Sequence, residues 1–144
     1  MPTTATLRRQ HDEMARLIDR CMLVIDGYRS RGDAYPILVE LNRLAGRVRH
    51  HFAAEDEGLF PALIDGPESE LSARAAALWD QYGALAHAFE DFLRIWPSSA
   101  VIAGNFLTFK VEATLILHAI AERTVREEEL LFRLIESGVL NRAA

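Results

Sequence analysis

The sequence predicts an all-α protein, an up-down-up-down antiparallel four-helix bundle, on three observations. Three short stretches rich in Gly, Pro, Asp and Ser cut the chain into four long segments. Those segments are rich in Ala, Leu, Glu and Arg and are apolar at three- and four-residue spacing. No stretch alternates apolar and polar residues as a half-buried strand does. Short connections between long helices make neighbours antiparallel, which is the bundle topology.

The first break, YRSRGDAYP, holds Gly32 and Pro36; the second, LIDGPES, holds Gly66 and Pro67; the third, WPSSA, holds Pro97 and Ser99. Gly and Pro stop a helix while Asp and Ser start one, so each break reads as a C-cap, a turn and a new N-cap. The expected helices are 4–29, 34–64, 68–96 and 99–137, in one bundle domain spanning residues 1–144.

At about 100° per residue, each helix has an apolar arc that must face the bundle axis. In the first, Leu7, Met14, Ile18, Cys21 and Ile25 define the arc, and His11 lies inside it. The second is defined by Ile37, Leu41, Leu44, Val48 and Leu59, with His51 and Glu55 near its centre and His50 on the opposite side. The third runs through Leu71, Leu78, Leu85, Phe89, Phe92 and Trp96. Tyr82 and Gln81 are the polar residues at its edge, and His87 falls on the far side. In the fourth, Phe106, Phe109, Ala113, Ile116, Leu117, Ile120, Leu131 and Leu134 set the arc. Glu127 sits at its centre and Arg123 on its flank, while His118 points away. His50, His87 and His118 are therefore expected in solvent, binding nothing specific.

Composition narrows the function. The chain is 50% hydrophobic and 26% charged with a net charge of −5, which suits a soluble globular protein. Arg43, Arg47 and Arg49 are interleaved with apolar positions, so no nucleic-acid partner is expected. Lys110 is the sole lysine, an arginine bias of the kind a GC-rich bacterial genome gives. The single cysteine, Cys21, excludes an internal disulfide and fits a reducing compartment. The N-terminus MPTTATLRRQHDEM has no long apolar run, so neither a signal peptide nor a membrane partner is expected, and the cytoplasm is the expected location. No nucleophile–base pair, phosphate loop or metalloprotease motif points to a hydrolase or transferase, and no catalytic residue is assigned. A protein partner or a homo-oligomer is not specified.

The stretch LHAIAERTVREEELLF echoes RHHFAAEDEGLFPAL. Aligned on their acidic-then-LF endings, Glu127 stands opposite Glu55 and Arg123 opposite His51. Five polar residues, His11, His51, Glu55, Arg123 and Glu127, are thus expected at similar depth inside the bundle. Two readings fit them. A His and a Glu at i, i+4 share one helical face, and imidazole with carboxylate suits iron, manganese or zinc, so His11, His51, Glu55 and Glu127 can hold a metal ion. Alternatively, Arg123 bridges Glu55 and Glu127 with its five donors and the histidines hydrogen-bond around it. Two carboxylates and one arginine leave about one negative charge, which either a divalent cation or a protonated histidine balances.

The ordered set RRQHDEM, RHHFAAEDEGLFPAL and REEELLFRLI resembles the hemerythrin-like (HHE cation-binding) family over nearly the whole chain. The resemblance implies a non-haem iron centre inside the bundle. His11 and His51 match the histidines of one iron, and Glu55 and Glu127 match the bridging carboxylates. The family's other iron takes histidines from the third and fourth helices, and there this sequence departs. Its third helix offers no inward histidine, and Arg123 stands where the fourth-helix histidine is expected, its guanidinium filling the volume of the second iron. The resemblance therefore implies a metal-binding protein with one iron or other divalent cation, or an atypical site, in sensing, storage or stress defence. The departure counts against reversible oxygen carriage, which needs both irons. From a different class comes the alternative, a metal-free bundle acting as a regulatory or protein-interaction module.

Overall fold

Four helical arms, joined by short connections, make up the computed structural model, which describes residues 2–143 and has no strand among them. The first arm is α1 (Thr4–Asp26), capped by Thr3, whose side chain accepts from the Thr6 N–H at 3.2 Å. It stops at Asp26 rather than at 29, the Tyr28 amide closing a tighter turn onto the Ile25 carbonyl at 3.2 Å. A 3-10 turn (Arg31–Asp33) leads into the second arm, α2 (Ala34–Ala54), a π turn (Glu55–Leu59) and α3 (Phe60–Ile64). The third arm is α4 (Ser69–Tyr82) followed by α5 (Leu85–Ile95). The fourth is α6 (Ser99–Gly104), α7 (Phe106–Glu127), a second π turn (Glu128–Phe132) and α8 (Arg133–Ala143). α1 packs on α2 and α7, and α5 packs on α7 and α2, which closes the antiparallel bundle.

The arms fall where the sequence puts them, except that the fourth runs on to Ala143 instead of ending at 137, and three of the four helices expected to run unbroken are interrupted. The π turn at Glu55–Leu59 has a cause at Pro61. A proline inside a regular helix collides with the carbonyl four residues before it, and a widened turn relieves that collision. The matching turn at Glu128–Phe132 contains no proline, and its sequence supplies no such cause. The third arm breaks at Gly83, where an added Cβ would lie 2.5 Å from the Trp79 carbonyl oxygen. Only glycine fits there. The fourth breaks at Asn105, whose backbone leaves the helical region (φ −150°, ψ 61°).

Along the bundle axis, two apolar clusters flank a polar layer. The larger holds Met14 to Ile25, Ile37 to Phe52, Phe89 to Trp96 and Ile102 to Ile120 among its buried members. The smaller holds Leu7, Leu59, Phe60, Leu78, Tyr82, Leu131 and Phe132. His11 lies between Leu7 and Met14, Glu55 between Phe52 and Leu59, and Arg123 and Glu127 between Ile120 and Leu131, so the polar side chains share one level. At that level the third arm has its Gly83 break.

Candidate metal centre

Helix α1 contributes His11, the last turn of α2 contributes His51, the first π turn opens on Glu55 and α7 closes on Glu127. All four are buried, none more than 3% exposed. The Nε2 atoms of His11 and His51 face each other at 2.9 Å. His51 Nε2 is 3.1 Å from Glu55 Oε1, and His11 Nε2 is 3.2 Å from Glu127 Oε1 and 3.6 Å from Glu55 Oε2. One ligand atom from each residue can be chosen so that all lie within 4.8 Å of one another. Ligands about 2.0–2.2 Å from a shared ion stand no more than about 4.4 Å apart, so an inward shift of a few tenths of an ångström completes a coordination shell. Glu55 Oε2 and Glu127 Oε1 are buried without any hydrogen-bond partner. Buried oxygens rarely go unsatisfied, and these two point at the atoms a cation would share with them. The donor set fits a metal.

On the other side of the same carboxylates lies Arg123, 0% exposed. Its Nε donates to Glu127 Oε2 at 2.9 Å, and its Nη2 donates to Glu55 Oε1 at 3.2 Å and to Asp56 Oδ1 at 2.6 Å. Nη1 donates to the Tyr82 carbonyl at 3.3 Å. That carbonyl is available because it ends α4, where the last carbonyls have no partner within the helix, and the Gly83 break aims it inward. The guanidinium carbon stands 3.9 Å from the centroid of the Phe52 ring, a cation–π contact. A permanent positive charge so held repels any cation placed against it.

A family model, the hemerythrin HHE cation binding domain, matches residues 2–135. The chain belongs to the hemerythrin HHE cation-binding family. Searches of curated proteins and of solved structures return no match. Within this hemerythrin domain the third arm contributes a backbone carbonyl to Arg123 and no histidine to the centre, since His87 is exposed. His50 and His118 are exposed as well. Tyr82 is buried as expected, with its hydroxyl donating to Glu122 at 2.9 Å, whereas Gln81, expected at the interior edge, is exposed.

Charge in the metal-free hemerythrin centre is settled by proximity. Burial works against a charged His11, yet the carboxylates of Glu127 and Glu55, 3.2 and 3.6 Å from its Nε2, outweigh it and carry its pKa up to about 9. Burial, then the charge of Glu55, pushes Glu127 up to about 8. Glu55 moves the other way: burial opposes its ionisation, but hydrogen bonds with His11 and His51 hold it well below the usual carboxylate range. His11 and Glu127 therefore hold protons near neutral pH, and a cation binding between them would have to displace those protons.

Three partners escaped the sequence reading. Gln10 meets His51 Nδ1 at 2.7 Å, Asp56 holds Arg123, and the Tyr82 carbonyl completes the guanidinium's set. The acidic residue after Glu55 was visible in the motif, but a helical wheel places it off the interior arc. Gln10 precedes His11 directly and offered no signal of its own.

Proposed function

We propose that this hemerythrin domain binds one divalent cation, iron first among them, through His11, His51, Glu55 and Glu127. Arg123 occupies the place of the second metal, and the protein serves sensing, storage or stress defence rather than reversible oxygen carriage. The observation that carries the reading is the pair of unpartnered buried oxygens, Glu55 Oε2 and Glu127 Oε1, converging with the two histidine Nε2 atoms. A bound iron would supply a redox-active Lewis acid. The chain's own part is to orient the ligands from three helices, exclude water with Phe132 stacked 5.2 Å from the His11 ring, and confine the positive charge of Arg123 to one side. No helix among the described residues is long and apolar enough to cross a membrane, and a buried free thiol at Cys21 is compatible with the cytoplasm. Anaerobic titration of the metal-free protein with ferrous iron tests the proposal. One equivalent is expected to bind, with binding lost in His51→Ala.

A second reading has an observation of its own. Arg123 already pairs with Glu55, Glu127 and Asp56, and protons on His11 and Glu127 complete the balance without any metal. On that reading the bundle is a metal-free regulatory or protein-interaction module. No iron binding in the same titration would favour it.

A further inference from the structure

A histidine can ligate a metal through Nε2 only if that atom carries a lone pair, so something must hold the ring proton on Nδ1. His11 and His51 both turn Nε2 into the centre, but their outer nitrogens are treated differently. His51 Nδ1 meets Gln10 Oε1 at 2.7 Å. His11 Nδ1 is buried without a hydrogen-bond partner, with Glu128 Oε2 lying 3.8 Å away. The two Nε2 atoms are 2.9 Å apart, so exactly one proton fits between them. If Gln10 accepts from His51 Nδ1–H, the remaining His51 nitrogen accepts, and the shared proton belongs to His11. The chain of donors then runs from His11 to His51 to Gln10.

We propose that Gln10 is a positioning residue of the metal centre: its carbonyl fixes the His51 tautomer with the proton on Nδ1 and a lone pair on Nε2. His51 is thereby ready for a cation before one arrives, and between the two rings the proton of His11 stands where a cation would be shared. His11, lacking such a partner, is the more easily reoriented of the two. The metal-affinity part of the inference rests on the cation reading given above; the tautomer part does not.

Nitrogen-15 NMR of the imidazoles in metal-free wild-type protein reads the tautomer directly. The expected result is His51 protonated at Nδ1 and bare at Nε2. Gln10→Leu is expected to mix the two tautomers and to weaken ferrous-iron binding about ten- to a hundredfold at unchanged stoichiometry. Gln10→Glu, which keeps an acceptor oxygen at the same reach, is expected to restore both the tautomer and the affinity. A role in packing alone would leave both the nitrogen signature and the binding of Gln10→Leu, whose side chain has comparable bulk, at their wild-type values. His51 protonated at Nε2 in the wild type overturns the proposal, as does a Gln10→Leu variant with wild-type tautomer. Should wild-type protein bind no iron while His51 still shows the Nδ1 proton, the cation reading fails and the tautomer assignment to Gln10 survives.

Discussion

The two sides of the polar layer share the same carboxylates yet are in opposite states. Toward Arg123, Glu55 Oε1 and Glu127 Oε2 each accept from the guanidinium, and all three guanidinium nitrogens find acceptors. Toward His11, the remaining oxygens of those carboxylates and His11 Nδ1 make no well-formed hydrogen bond, although His11 Nε2 stands 3.2 Å from Glu127 Oε1 and 3.6 Å from Glu55 Oε2. The difference teaches where a buried charge has been supplied by the chain and where it is left for something else. A guanidinium that cannot lose its proton fixes one side permanently, while exchangeable protons on His11 and Glu127 hold the other open to replacement.

The comparison breaks hardest at Arg123. Arg123→Ala leaves Glu55, Glu127 and Asp56 without their common cation in a dry interior, and is expected to cost about 3–5 kcal/mol in urea unfolding. A loss under 1 kcal/mol, read on the same scale as that ~3–5 kcal/mol, would mean the guanidinium is not what balances the layer.

Next in size is Gly83→Ala. The added methyl meets the Trp79 carbonyl at 2.5 Å and forces the break that aims the Tyr82 carbonyl at Arg123 to shift. The expected loss is about 1–3 kcal/mol by thermal or chemical unfolding. An unchanged midpoint would show that the break tolerates a side chain and that the Tyr82 carbonyl does not depend on it.

How much of this was legible beforehand follows from which physics decides each feature. The arms and the depth of His11, His51, Glu55, Arg123 and Glu127 were readable, because helical periodicity alone fixes which face is buried. The breaks at Gly83 and Asn105 and both π turns were not. A wheel assumes an unbroken helix, and residues such as Pro61 and Gly83, though visible in the sequence, do not by themselves say where the helix gives way. That assumption also hid Asp56, which joins the interior only where the π turn begins at Glu55. Gln10 was invisible for another reason: its role depends on the distance to His51, on a different helix.

A gentler effect is expected from pH on the metal-free protein. His11 has its pKa raised from 6.5 to about 9 in the fold, so its stabilisation is complete below 6.5 and is lost as pH rises through about 9. Glu127, raised from 4.5 to about 8, acts in the same direction over a window ending near 8. The midpoint temperature should therefore fall between about pH 6.5 and 9, and saturating ferrous iron, by replacing those protons, should flatten the fall. A midpoint rising over that range would contradict the proton placement.

Smallest of all are the exposed histidines. His50→Ala, His87→Ala and His118→Ala should each leave stability within about 0.5 kcal/mol of wild type and metal content unchanged. A drop in bound metal in any of them would bring a surface histidine into the centre and move the boundary between the two sides.

The central claim, that Arg123 stands in for a second metal, is tested most directly by metal-to-protein stoichiometry in wild type and Arg123→His, loaded with ferrous iron and assayed by elemental analysis. The expected result is one equivalent in the wild type and an increase toward two in Arg123→His, where a neutral imidazole replaces the repelling guanidinium beside Glu55 and Glu127. Two tightly bound metals in the wild-type protein, or no increase in a folded Arg123→His variant, would contradict it.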